Sequence, residues 1–356
     1  MSDPAALYES LREEAAEVLV GNERLIEGLT VAALSGGHVL LEGVPGVAKT
    51  TAASLFARAS GLEYARVQMT PDLLPADITG TRVYRQDTGS FEFTEGPVFA
   101  NVVVADEINR ATPKTQSALL ESMQEEQVTV DGETRTLPSP FLVIATQNPI
   151  EMEGVFALPE AQRDRFQQKL VVDVPERDDE RVMLDRFDEN PELNADDVEP
   201  VITPAELLAC KEVVGDVHVA PQVKEYVIDL VDATRTHDAV EHGASPRATV
   251  TFLDAAKARA AVRGRGYVIP DDLKSLAESV LAHRLVLDTD AGLRGIDPTA
   301  IVAEAVAGVE PPATGTDPDP DPDADGADSL RTAGSSPPVE VEGDGAGVGY
   351  SGSDDA

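Results

Sequence analysis

Three groups of residues have types and spacings suited to phosphate chemistry. The first is Gly43-Val44-Pro45-Gly46-Val47-Ala48-Lys49-Thr50-Thr51, entered from the apolar run Val39-Leu40-Leu41 and left through Ala52, Ala53, Leu55 and Phe56. That context reads as strand, loop, helix. Successive loop N–H groups and the positive end of the following helix form a concave set of donors matched to two or three phosphates. Lys49 would reach the β- and γ-phosphates of a nucleotide such as ATP, and Thr50 would ligate Mg²⁺. Ala48 stands where the pattern G-x-x-x-x-G-K-[ST] has glycine. Its methyl group is tolerated if the backbone there is near-helical, because glycine is needed only where φ is positive or a ligand rests on the Cα.

The second group is Asp106-Glu107, which closes the apolar run Val102-Val103-Val104-Ala105. A short continuous apolar run of this kind is the pattern of a buried parallel strand, whose carboxyl end faces a ligand. There Asp106 would hold Mg²⁺ through its waters, and Glu107 could polarise the water that attacks a γ-phosphate. The two acids could also simply begin a turn. The third group is Asn148, after the apolar run Phe141-Leu142-Val143-Ile144-Ala145-Thr146 and Gln147. An amide at that point can hydrogen-bond both a γ-phosphate and a lytic water; equally, it could cap a turn.

The elements that must position these groups follow from the pattern. Residues 4–34 have helical periodicity, broken at Val20-Gly21-Asn22. The helix from Lys49 is predicted to run to about Ala59, and residues 64–69 read as a second strand. Two hairpins are predicted: Arg82-Val83-Tyr84-Arg85 with Ser90-Phe91-Glu92-Phe93, and residues 128–136 around Asp131-Gly132. Thr112-Pro113 starts a helix with Thr as cap. Residues 158–166 begin a short helix and residues 169–174 form the last strand. From 178 to about 308 strand signals vanish and helical periodicity returns, a small helical lid in which Ser245-Pro246-Arg247 opens a helix, placing Arg247 where it could swing toward bound nucleotide. Beyond Pro311-Pro312 the run Asp317-Pro318-Asp319-Pro320-Asp321-Pro322-Asp323 and a Gly/Ser/Pro-rich end have too little apolar surface to offset ordering entropy.

Composition narrows the setting. The 356 residues carry 65 acids against 28 bases, a formal charge of −37, and only 7 of the bases are lysine. The last 46 residues account for −10 of this, so most of the excess lies on the folded part, spread rather than blocked. That fits a cytoplasmic protein of a high-salt cell, such as a halophilic archaeon, where screening suppresses self-repulsion. Cys210, the single cysteine, leaves no disulfide framework and no cysteine-based zinc site. No apolar run approaches a membrane span, and the N-terminus has no leader pattern.

In order, the chain offers a phosphate loop, a hairpin, an apolar strand ending in Asp-Glu, a second hairpin, a strand leading to Asn, an Arg-bearing helix and a helical lid. This resembles the AAA+ ATPases, and in particular the MoxR group. The closer match lies in Gly43-Val44-Pro45-Gly46-Val47-Ala48-Lys49-Thr50, in residues 70–80 (TPDLLPADITG), in Asp106-Glu107-Ile108-Asn109-Arg110-Ala111, in Ala145-Thr146-Gln147-Asn148-Pro149 and in Leu158-Pro159-Glu160-Ala161-Gln162. Alanine before Lys49 is usual in that group. The resemblance implies an α/β core (residues 1–176) with a five-stranded parallel sheet, helices on both faces and hairpin insertions. A small all-α lid (177–310) and a disordered acidic tail (311–356) would follow.

The same resemblance makes Asp106 and Glu107 the Walker B acids, Asn148 the sensor-1 amide and Arg247 the sensor-2 arginine. Arg165 looks like the arginine finger that acts on a neighbouring subunit's nucleotide. Arg163 stands where the group more often has an apolar residue, so the finger is Arg163 or Arg165. A finger working in trans implies a ring, most often a hexamer. The group also implies chaperone-like remodelling of protein complexes, with a von Willebrand factor A domain protein as partner. A nucleic-acid motor of helicase type is the alternative. Against it, Arg135 of the second hairpin stands beside Asp131 and Glu133, whereas backbone tracking needs clustered cations.

Overall fold

Asp3 opens the first helix by accepting the Ala5 N–H, and Pro4 takes a first-turn place that needs no donor. In the computed structural model, which describes residues 2–149, 155–190 and 197–312, α1 (Pro4–Ala16) and α2 (Glu23–Ser35) precede β1 (Val39–Glu42). Then come α3 (Lys49–Ala59), β2 (Tyr64–Gln68), the short α4 (Pro75–Thr79) and a hairpin of β3 (Gly80–Arg85) and β4 (Ser90–Glu95). β5 (Val102–Asp106) leads to α5 (Pro113–Glu125), capped by the Thr112 hydroxyl on Thr115 N–H. The second hairpin, β6 (Gln127–Val130) and β7 (Glu133–Thr136), is followed by β8 (Leu142–Gln147), the one-turn α6 (Glu160–Arg163) and β9 (Gln168–Val171).

Five strands make the central sheet in the order β2-β5-β8-β1-β9, every neighbouring pair parallel. Alternation along each strand divides the core. Val39 and Leu41 of β1, with Val102, Val104, Leu142 and Ile144, pack toward the side of α1–α3. Leu40, Val103, Ala105, Val143 and Ala145 face the side of α5, with Leu119, Leu120, Met123 and Phe166. Because both faces are covered, the inner strands read as unbroken apolar runs, and their polar residues come only at the carboxyl ends.

The rest is mainly helical: α7 (Arg177–Glu189), α8 (Pro204–Gly215), α9 (Pro221–Arg235), α10 (Pro246–Val262), α11 (Pro270–Leu281), α12 (Thr289–Leu293) and α13 (Pro298–Gly308). Strands do not vanish there, however. β10 (Val240–His242) pairs antiparallel with β11 (Val286–Leu287), pieces too short and too far apart in sequence for period-2 alternation to reveal. The second and last core strands also end earlier than their apolar patterns suggest, at Gln68 and Val171. The acidic stretch from residue 313 onward lies outside the described residues. No described helix is long and apolar enough to cross a membrane.

Candidate functional site

The loop between β1 and α3 is shaped by two glycines. A Cβ on Gly43 would meet the Val172 carbonyl oxygen at 2.5 Å, and Gly46 has φ +88°. Ala48 also sits in the left-handed region, at φ 59° and ψ 24°. The condition for easy tolerance of the methyl group is therefore not met: it occupies a glycine-like conformation, one that costs roughly 1–2 kcal/mol for an L-residue. Lys49 Nζ turns back over the loop, donating to the carbonyls of Gly43 (2.5 Å) and Val44 (2.9 Å).

Residues Pro45 to Thr51 line a cleft of about 400 Å³ together with Asp106, Glu107, Thr146, Gln147 and Asn148. Parallel pairing brings them together, because β1, β5 and β8 end side by side. Asp106 is the centre of the network. Its Oδ1 accepts from Thr50 Oγ1 (3.0 Å) and Thr146 Oγ1 (2.6 Å), and its Oδ2 accepts from Arg66 (2.5 Å). Burial pushes the Asp106 carboxyl up, but the hydrogen bonds from Thr146, Arg66 and Thr50 outweigh it and hold the group below the usual carboxylate range. Glu107, at φ 58°, is fixed by its N–H on Thr146 Oγ1 (2.9 Å). Its Oε2 accepts from Gln68 Nε2 (2.7 Å) and Arg110 (3.0 Å). Asn148 is buried at the same end of the sheet.

The oxygen donors present fit a magnesium ion. Thr50 and Asp106 supply one hydroxyl and one carboxylate, the small hard set that Mg²⁺ accepts when phosphates complete its shell. Among the described residues no three His, Cys, Asp or Glu side chains form a metal cage. A larger cleft of about 900 Å³ lies between α1, α2, β9, α10 and α11. Within it Glu27 pairs with Arg259 and Arg263, and Arg12 with Glu9 and Glu23.

Arg163, Arg165 and Arg247 do not line the phosphate-type cleft. Arg163 and Arg165 are half-buried around the end of α6, and Arg247 is exposed on the first turn of α10. Arg66, Gln68 and Thr146 take part in the network; no motif marks Arg66 or Gln68, and Thr146 stands in the stretch Ala145-Thr146-Gln147-Asn148-Pro149 without a role of its own. Arg66 and Gln68 are two residues apart on β2, so they share a face, and β2 pairs with β5. Two polar residues alternating within an apolar strand were the available signal.

Comparison with known proteins agrees with this architecture. Residues 38–168 match the ATPase family associated with various cellular activities (AAA), and residues 232–305 match the AAA lid domain. Chaperone MoxR1 of Mycobacterium tuberculosis is 46% identical over 314 residues, covering 86% of this chain and 82% of its own. The YeaC protein of Bacillus subtilis is 44% identical over 295 residues, 83% and 92% of the two chains. Protein MoxR of Methylorubrum extorquens is 33% identical, with 80% and 88% covered. A crystal structure of an ATPase candidate from Cytophaga hutchinsonii superposes with a TM-score of 0.80 at 38% identity, covering 87% of this chain and 96% of that one. Those shares of both chains, with the loop, acids and lid described above, assign the protein: it belongs to the MoxR family of AAA+ ATPases.

Proposed function

We propose that the cleft at the carboxyl ends of β1, β5 and β8 binds ATP with Mg²⁺ and hydrolyses it to ADP and phosphate. The observation that carries this is the convergence of Thr50, Thr146 and Glu107 around Asp106 beside Lys49. Lys49 exchanges its loop carbonyls for phosphate oxygens and neutralises their charge. Thr50 and Asp106 would hold the metal, which when bound withdraws charge from the phosphate oxygens. Glu107 accepts a proton from water as the water oxygen bonds to the γ-phosphorus and the bond to the bridging oxygen of ADP breaks. Asn148 orients that water.

The finger for an adjoining protomer is Arg165 or Arg163, both half-buried around the end of α6. Such a finger requires a homo-oligomer, in this family's pattern a hexameric ring. Arg247 would reach the nucleotide from the lid, which on this reading starts at Arg177, the first residue of α7.

The client class is a protein complex whose maturation or assembly is driven by ATP, following the chaperone name of the Mycobacterium tuberculosis relative, with a von Willebrand factor A domain protein as partner. Charge pairing on the hairpins works against a nucleic-acid motor. Arg82 and Arg135 both pair with Glu133, Arg85 pairs with Glu92, and Arg135 lies 4.2 Å over the Phe93 ring. Phosphate tracking needs cations not already engaged.

The test is ATP turnover at molar salt for wild type and Glu107→Gln. Loss of a general base predicts a fall of about 10²- to 10⁴-fold with nucleotide affinity kept. Equal rates would remove Glu107 from the chemistry.

A further inference from the structure

Asp164 lies between the two finger candidates in sequence, and the lid holds it from two directions. Arg284, just after α11, donates through Nε to Asp164 Oδ1 at 2.8 Å, and its side chain is 2% exposed. The same guanidinium donates to the carbonyls of Phe166 (2.7 Å), Gln167 (3.1 Å) and Val280. Neighbouring His283 meets the Phe166 carbonyl through Nε2 at 3.1 Å. From a second lid helix, Ser245 Oγ donates to Asp164 Oδ2 at 3.1 Å. Ser245 is also the cap of α10, whose first turn carries Arg247. Arg247 is near enough that its charge, after burial and the opposing pull of Asp164, contributes to holding the Arg284 pKa below its ordinary value.

A four-residue helix has almost no stability of its own, so α6 and the turn after it take their position from what holds them. Here that is a buried guanidinium forked over groups of Asp164, Phe166 and Gln167, plus the hydroxyl that starts the Arg247 helix.

We infer that Asp164 is a positioning residue, the joint through which the lid sets the finger arginine toward the adjoining protomer. This rests on the reading of Arg165 or Arg163 as a finger. A shift of α10 when Arg247 engages nucleotide reaches Asp164 through one hydrogen bond, so the lid of one protomer adjusts catalysis in the next. The group being positioned acts in trans, which separates this role from a purely structural one.

Mixed assemblies test it. Asp164→Asn should keep the wild-type oligomer mass and a KM for ATP within about threefold, while kcat falls about tenfold, less than removal of the finger itself. Glu107→Gln protomers turn over at least about a hundredfold more slowly themselves but offer an intact finger. Mixed in equal amount with Asp164→Asn protomers, they should raise turnover about fivefold above that of the Asp164→Asn protein alone, because half of its sites regain a properly set neighbour. Ser245→Ala, a milder change, should give the same pattern with about a threefold loss of kcat, restored by Ser245→Thr, and it decides the matter if Asp164→Asn does not fold.

Arg165→Ala and Arg163→Ala are mixed with Glu107→Gln in parallel. If one of them is rescued and neither the Asp164 nor the Ser245 variant is, the joint is overturned and the finger stands. If neither arginine variant is rescued, the finger reading fails and the joint with it. Wild-type turnover in Ser245→Ala, or in a folded Asp164→Asn, also overturns the inference.

Discussion

Gln68 Nε2 donates to Glu107 Oε2 across 2.7 Å, from the strand that pairs with the one ending at Asp106. With Arg110 on the same oxygen at 3.0 Å, one oxygen of the carboxylate proposed as the base is engaged until those bonds are exchanged. One such hydrogen bond is worth about 0.5–1.5 kcal/mol net. Gln68→Ala should therefore raise steady-state phosphate release about two- to tenfold at saturating ATP. A fall would mean that Gln68 serves the nucleotide or the water instead of restraining Glu107.

Ala48 offers a stability test at the phosphate loop. Its φ of 59° costs an alanine roughly 1–2 kcal/mol that a glycine avoids. Glycine's larger unfolded-state entropy returns about 0.4–1 kcal/mol of this. Ala48→Gly should thus stabilise the protein by about 0.5–1 kcal/mol, read as a higher urea midpoint at molar salt. A lower midpoint would contradict the strain.

How far the site can be read from the residues depends on what each reading needs. Lys49, Asp106 and Asn148 are legible because each follows a short apolar run, and parallel strands buried on both faces put their polar ends together. The second hairpin is equally plain, since Asp131 and Gly132 both adopt the positive φ that a tight two-residue turn demands. Arg66 and Gln68 are different. Their importance comes from β2 lying beside β5 at the sheet edge, and strand order is a property of the fold that local pattern does not carry. The strain at Ala48 is hidden for a related reason: residue type gives what a backbone tolerates, not which φ the loop imposes. The pairing of Val240 with Leu287 is hidden because two- and three-residue strands are too short to alternate.

His38 gives a pH signature. Its Nδ1 accepts the Val143 N–H at 3.1 Å and its Nε2 donates to the Met123 carbonyl at 3.0 Å, so the ring is neutral in the folded protein. Burial pushes its pKa down to about 4, against the opposing pull of the Met123 carbonyl. The unfolded ring, near its ordinary value of about 6.5, binds the extra proton between those limits. The contribution is therefore fully present above about pH 6.5 and is lost as pH falls toward 4, on the order of 3 kcal/mol in all. Urea unfolding of wild type and His38→Gln at pH 7, 5.5 and 4 should show the wild type losing that much more than the variant. Parallel losses would place the proton uptake elsewhere.

Titration of a fluorescent ATP analogue with Mg²⁺ at molar salt, into wild type and Lys49→Ala, tests the nucleotide cleft most directly. A lost charge-assisted contact of about 1.5–3 kcal/mol predicts affinity roughly 10- to 100-fold weaker in the variant. Equal affinity in the two proteins, or no binding by the wild type, would contradict the account.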